Sequence, residues 1–553
     1  MKFKALFSIC LAAGSFAAFA QTHVEGVEYF KADQLDNARE LLERNMNNPG
    51  TDKAIANFYL GEIALENGDI AKAASYFEKG IAANPDYGYN YVGQGAVALK
   101  KGEIKLAENL FKQGEGKVKK DPAMQVEIAR AYYYADPVAY AKQIEKRLEK
   151  ARRINQMAPE VFIFEGDQLK DQKKWGEAGS KYEMAANNNP TGSDAYVKYA
   201  NLFTQVNPDY AIKMLQQLLV QNPTSALGQR ELANAYYNKK AYKEAAAEYG
   251  KYVKNPNHFK QDEDRYAFLL FYGQDFKGGY DYASQLLAAN PQNFTAQRYQ
   301  FMNAAQLKDM QDQLLPMAQA LYEAHRKNPA NKFAPIDYTL IADEFDRAAK
   351  PLAKEDPNRI KYLEESVSVL NEAMKDFPDN AQFNKQLSFV YIDENDFVKA
   401  ADAYKGYLKK LEEPGYNDFV QQAIFSYFAG VDSKEKDMAV ANANFDDAVN
   451  FADKALSIME NYKPVKIKGD VAKQRADKSA VSSAAVPLYL ESVALLEKAP
   501  DPSKYASDAK DLYLYLGNYY YSKKEDAKAK EFFEKYLKYD PNNEDIRKFV
   551  EKL

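Results

Sequence analysis

The chain has 553 residues, 46% hydrophobic and 28% charged, with 79 acidic against 74 basic side chains and a formal net charge of −5. This mildly acidic balance gives no support to nucleic acid as a partner, and no hydrophobic segment after the N-terminal one is long enough to cross a bilayer. A globular protein of this length splits into several domains, unless its units stack in file so that each packs only on its neighbours.

Residues 1–20 read as a secretory signal peptide. Lys2 and Lys4 supply the positive start, Ala5 to Ala13 the apolar core, and Ala18-Phe19-Ala20 a small-x-small cleavage site. The apolar run is too short for a membrane anchor, which needs roughly 20 residues. Cys10 is not a lipid-attachment site, because Ile9 before it is too large for a bacterial lipoprotein signal. Cleavage after Ala20 removes the only cysteine and two lysines, leaving 72 basic against 79 acidic residues, a net charge of −7. The mature chain then forms no disulfide and has no cysteine nucleophile or ligand, which suits an oxidising compartment. The expected address is the bacterial periplasm, or the cell exterior.

The stretch Ala54 to Pro85 sets the pattern for the rest. Leu60, Gly61 and Ala64 share one face of a first helix, Asn67-Gly68-Asp69 is a turn, and Ala73, Phe77 and Gly80 recur at helical spacing on a second helix. Asn84-Pro85 ends it, since proline biases the residue before it away from the α region. Gly61 in mid-helix implies that the partner helix crosses very close.

A small residue followed twelve positions later by alanine recurs at Gly26/Ala38, Gly61/Ala73, Gly95/Ala107, Ala129/Ala141, Gly166/Ala178, Ala233/Ala245, Ser388/Ala400 and Gly517/Ala529. Four positions on stands a ring in most units: Phe77, Phe111, Tyr182, Tyr249, Tyr404 and Phe533; Leu42 takes the slot in the first, and Glu145 breaks the rule in the fourth. Pro49, Pro85, Pro190, Pro256 and Pro541 close units, and the steps Gly61 to Gly95 and Gly95 to Ala129 are both 34 residues. In length and in these slots the chain resembles the tetratricopeptide repeat (TPR) family. The family's usual first-helix tryptophan is missing, and Trp175 is read as lying in a turn. The resemblance implies an all-α, right-handed α-solenoid of about a dozen stacked helical hairpins.

Along the chain, residues 21–334 form an N-terminal arc. In its fourth unit the second helix, Tyr140 to Met157, carries Lys142, Lys146, Arg147, Lys150, Arg152 and Arg153, a solvated face or a strip for an acidic partner. Residues 335–463 form a less regular arc. Residues 464–485, basic and without aromatics, read as a flexible linker. Residues 486–553 supply the last unit and a polar capping helix.

Chemistry-bearing motifs are absent. His23, His258 and His325 are scattered, and no phosphate-cradling glycine loop, nucleophile elbow or carboxylate pair stands out. No catalytic residue, metal ligand or cofactor is therefore expected, and stacked hairpins predict a long surface without an enclosed pocket. The remaining candidate is the concave face. TPR members that bind chaperones hold a peptide's terminal carboxylate with a clamp of lysine, arginine and asparagine on consecutive first helices. Here Asn201 and Asn234 follow the small slots Ala200 and Ala233, with Lys198 and Arg230 just before them, so Lys198, Asn201, Arg230 and Asn234 form the candidate peptide-binding set. The following unit, near Gly273, offers only Leu270 and Phe271. Tyr59, Tyr89, Tyr237, Tyr515 and Tyr521 are either groove anchors or helix packing. The expected function is an exported, non-enzymatic scaffold that binds another protein or peptide, in envelope assembly or secretion. A chaperone-like client binder is the alternative, and an enzyme or glycan-binding protein the third class.

Overall fold

The computed structural model describes residues 21–118, 120–476 and 483–553, so the signal-peptide segment lies outside the described residues. It falls into two compact units, Met1–Asn303 and Ala304–Leu553. The first division therefore comes after residue 303, ahead of the expected 334. The reason is a clasp in the second unit. The His325 ring stacks on Phe333 at 4.0 Å and hydrogen-bonds Asn331 and Glu372, which ties the segment before residue 334 to the helices beyond it.

The described residues are helical throughout, arranged as TPR-type hairpins. In the first unit the pairs are α1 (His23–Lys31) with α2 (Leu35–Asn45), α3 (Lys53–Glu66) with α4 (Ile70–Ala83), α5 (Tyr89–Lys100) with α6 (Ile104–Lys117), and α7 (Pro122–Ala135) with α8 (Ala141–Ile154). Next come α9 (Pro159–Asp171) with α10 (Trp175–Asn188), α11 (Ser193–Phe203) with α12 (Pro208–Gln221), α13 (Ala226–Asn238) with α14 (Tyr242–Tyr252), and α15 (Gln261–Tyr272) with α16 (Phe276–Ala289). After α17 (Phe294–Ala304), the second unit holds α18 (Leu314–Lys327), the pair α19 (Pro335–Ala349) and α20 (Pro357–Asp376), and the pair α21 (Ala381–Asp393) and α22 (Phe397–Lys410). Its remaining helices are α23 (Tyr416–Ser433), α24 (Met438–Ile458), α25 (Tyr462–Arg475), α26 (Val486–Glu497), α27 (Ala506–Ser522), α28 (Asp526–Leu537) and the capping helix α29 (Glu544–Val550).

The small slots do what their spacing implies. A Cβ built on Gly61, Gly95, Gly166 or Gly517 would lie 2.4–2.6 Å from the ring of Phe77, Phe111, Tyr182 or Phe533, so each ring rests on bare backbone. Trp175 does not lie in a turn; it opens α10, the second helix of its hairpin, and is half exposed. Residues 464–475 are not a linker. They belong to α25, which buries Pro464, Val465, Ile467, Gly469 and Val471, while Lys466 pairs with Asp470 at 3.0 Å. Lysine stems cover apolar surface while their charges stay paired or wet, and that hides such a helix from a reading of composition. The rest of the expected linker includes residues outside the described set.

The larger departure is topological. In the first unit α1 packs on α3 and also on α11 and α13, so the run of hairpins closes on itself. Asp33, in a left-handed turn (φ 63°) between α1 and α2, reaches Lys198 at 2.5 Å and Lys170 at 2.8 Å. Glu28 accepts from Ser193 at 2.7 Å, Glu25 from the Leu227 amide at 3.0 Å, and Tyr29 meets Phe259 edge-on at 5.4 Å. First helices that would line an open groove here border a partly open chamber of about 220 Å³, whose lining includes the exposed Lys31, Asp33, Glu66 and Tyr134.

Candidate functional site

The structure divides the four candidate residues among three places. Lys198 is 5% exposed and holds Asp33 and, at 3.0 Å, Asp167. Arg230 donates to Asp262 at 2.7 Å and to Gln34 at 3.4 Å, and its guanidinium lies over Phe259. Both cations thus bind carboxylates, but those of their own chain. Asn201 and Asn234 share a polar pocket of about 430 Å³ with Thr204, Gln205, Asn238 and Arg265.

Repeat packing builds this pocket. Ala200 and Ala233 are buried at the helix crossings, which seats α11 and α13 close together and turns the next residue of each, an asparagine, to the inner face. Arg265 comes from α15, one hairpin on, with its guanidinium 4.6 Å from the Tyr237 ring. Among the described residues no carboxylate lies within ion-pair distance of Arg265. Glu231, also at the wall, accepts from Gln34 at 2.8 Å and stands 3.8 Å from Arg230. The Asn234 side-chain oxygen is buried without a donor. Asn201, Asn234 and Arg265 present amide and guanidinium donors to one space, the chemistry that holds a carboxylate. Arg265 escaped the sequence reading because it sits eight residues before Gly273, more than a helical turn ahead of Leu270 and Phe271.

The other candidates resolve into packing or internal pairing. On α8, Arg147 and Lys150 both hold Glu115, and Arg152 holds Glu145 and Glu165. Burial pushes the Glu115 carboxyl up, but hydrogen bonds from Lys150, Gln125 and Arg147 outweigh it and hold it at about 2. These arginines and this lysine are engaged within the fold. Tyr237 packs among Tyr242, Phe268 and Arg265, and Tyr521 against Phe549. Tyr59 and Tyr89 line the chamber of the first unit. In the second unit a cleft of about 630 Å³ between α23, α25 and α27 carries Lys466 beside Asp470, which also accepts from the Tyr489 hydroxyl at 2.7 Å. Among the described residues no group of His, Cys, Asp or Glu has metal-holding geometry, and no helix is long and apolar enough to cross a membrane.

Residues 24–88 and 201–258 match the tetratricopeptide repeat family, and the second stretch contains Asn201, Arg230 and Asn234. The chain is a tetratricopeptide repeat protein, a class of protein–protein interaction scaffolds. No curated protein matches it. Among solved structures, the C-terminal part of a TPR repeat-containing protein from Cytophaga hutchinsonii is 15% identical, covering 52% of this chain and 98% of its own, with a TM-score of 0.39. Yeast Tom70 is 15% identical over 87% of this chain and 91% of its own, with a TM-score of 0.28. The pilF protein of Pseudomonas aeruginosa is 18% identical over 45% of this chain and 96% of its own, with a TM-score of 0.24.

Proposed function

We propose that the protein is an exported, non-enzymatic scaffold of the bacterial envelope that holds a partner protein by a carboxylate in the pocket of Asn201, Asn234 and Arg265. The observation that carries this reading is the unpaired Arg265 guanidinium facing two asparagine amides, one with a buried oxygen that has no donor. Export rests on residues 1–20, with their two lysines, apolar core and Ala18-Phe19-Ala20 site. Lys198 and Arg230, the other half of the expected clamp, stand outside the pocket: they hold Asp33, Gln34 and Asp262 of their own chain and leave Arg265 as the cation that meets the partner.

The test places a photocrosslinking residue at Thr204, on the pocket rim, in cells of the native host. The expected result is one stoichiometric partner, with capture reduced at least tenfold in the Asn234→Ala/Arg265→Ala variant at an unchanged melting temperature. Capture that is indifferent to both substitutions sinks the pocket assignment. A ladder of many weak adducts replaces the dedicated scaffold with client binding. The address is checked by fractionation and N-terminal sequencing: export predicts a mature chain beginning at Gln21 in the periplasmic fraction, and a cytoplasmic chain that keeps Met1 removes that part of the reading.

A further inference from the structure

The chamber in the first unit is separate from the pocket of Asn201, Asn234 and Arg265. Helices α1, α3, α7, α9 and α11 and the loop before α5 contribute its walls. One part of the lining is aromatic. Tyr87 and Tyr89 stack with centroids 5.2 Å apart, and Phe30 packs on Tyr59 at 5.0 Å. The other part is charged and unbalanced, with six carboxylates facing three cations. Two of those cations are spent: Lys198 holds Asp33 and Asp167, and Arg130 holds Glu127 at 3.2 Å. Asp33 is shared further with Lys170. Glu66, Glu160 and Asp194 are left with no ion pair among the described residues, and Lys31 is the only other cation on the lining.

Two observations mark this surplus as a ligand's place. The Glu160 Oε2 atom is buried with no hydrogen-bond partner. Glu62, 5% exposed and not itself on the lining, lies within electrostatic reach of Glu127 and Glu66, with neither a hydrogen bond nor an ion pair for its side chain among the described residues. Burial raises the affinity of Glu62 and Glu160 for protons and lifts Glu66 to about 7. A cation beside a carboxylate raised in this way favours its charged form. The chamber is also reachable. It shares Lys31, Tyr59, Tyr87, Asn189 and Asp194 with an outer pocket of about 320 Å³, whose wall adds Val24, Val27 and Ile55.

We propose that this chamber binds an alkylammonium group, its N–H donors on Glu160, Asp194 and Glu66, its charge against the faces of Tyr59 and Tyr87, and its carbon stem along Val24, Val27 and Ile55. Lys31 alone does not balance the lining, although its charge is felt by Asp194 and Glu160; a bound ammonium adds three donors, and aromatic faces attract cations. An anion meets a net negative lining, and a neutral apolar molecule leaves the carboxylates unpaired. At about 30 Å³ for each water, the inner space holds roughly seven waters, which is enough for a short diamine. Free polyamines and lysine side chains of another protein share this chemistry.

Isothermal titration of the mature full chain separates the two sources. Putrescine and spermidine probe the free amine, and a capped Gly-Lys-Gly peptide probes the side chain; N,N′-diacetylputrescine and succinate are the controls. The expected result is saturable 1:1 binding of at least one amine, none for either control, and a loss of at least tenfold in Glu160→Gln/Asp194→Asn. Binding of the diamines alone assigns a free polyamine, and binding of the peptide assigns a lysine side chain entering by the outer pocket. Should the double variant melt early, Glu66→Gln replaces it, with the same tenfold loss expected. No heat with any amine, amine binding unchanged in the variants, or binding of succinate overturns the proposal.

Discussion

Gly93→Ala lowers the stability of the first unit by about 1–2 kcal/mol, and Gly61→Ala does the same, although alanine is the better helix former at both positions. The reason is the Phe77 ring, fully buried between two backbones. A Cβ on Gly61, in the same hairpin, would lie 2.4 Å from the ring, and a Cβ on Gly93, in the next hairpin, 2.3 Å. Real side-chain carbons do not approach so closely, and the ring is blocked on each side by the other helix. Overpacking of this kind costs on the order of 1–3 kcal/mol, and it overcomes the roughly 0.5–1 kcal/mol that alanine gains over glycine in a helix. Gly176, near the start of α10, is the internal control: nothing lies within 4 Å of its Cβ position, so Gly176→Ala leaves stability unchanged or raises it by up to about 1 kcal/mol. Phe77→Ala removes the wedge altogether and costs about 3–5 kcal/mol. In a Phe77→Leu background Gly93→Ala becomes cheaper, because the two sites share one space. Urea midpoints of the six variants, Phe77→Leu alone included, check the set. If Gly93→Ala melts with the wild type, the rings do not fix the hairpin spacing.

That wedge shows which parts of the molecule a sequence reveals. The contact of Gly61 with Phe77 lies within one hairpin, 16 residues apart, and the repeating slots display it directly. The contact of Gly93 with the same ring crosses between hairpins, and no slot rule points to it. In α25 the same device is present, since a Cβ on Gly469 would lie 2.5 Å from Tyr489, but here the ring comes 20 residues on and residues 477–482 intervene. The changed spacing, together with five Lys and Arg among the 14 residues of the helix, conceals it. The site divides the same way. Asn201 and Asn234 were legible because they follow buried alanines in register. The partners of Lys198 and Arg230 were not, because Asp33 and Gln34 lie 165 and 196 residues away and become neighbours only when the hairpins close on α1. Hairpin periodicity encodes how one repeat meets the next. It does not encode how many repeats complete a turn, and the chamber is a consequence of that number.

Docking of α1 weakens as pH rises from about 4.5 to about 8. Burial, and next the neighbouring Glu28 carboxylate, raise the Glu25 carboxyl from its ordinary value of 4.5 to about 8, against the opposing hydrogen bonds from the Leu227 and Ala226 amides. Glu28 is raised too, by burial, although Ser193 and Ser225 donate to it and Lys31 offsets the charge of Asp194. A carboxyl whose folded-state value is raised takes up its proton more readily in the docked form than when released. Its contribution to docking is complete below the free value and is lost as pH climbs through the docked one. For Glu25 that window runs from 4.5 to about 8, and at 1.36 kcal/mol per unit the change is on the order of 3 kcal/mol after relaxation of the site. Hydrogen exchange at the α1 amides, corrected for the intrinsic rise of exchange with pH, is expected to lose roughly a hundredfold of protection between pH 5 and pH 8, while the α19–α20 amides of the second unit change little. Glu25→Gln cannot ionise, so its protection stays level across the window. Wild-type protection that holds or grows with pH rules out a neutral Glu25. Because α1 carries Phe30 and Lys31 into the chamber wall and its turn carries Asp33 to Lys198, the same loss of docking opens the chamber. A proton on one buried glutamate thus sets how firmly the first unit is closed.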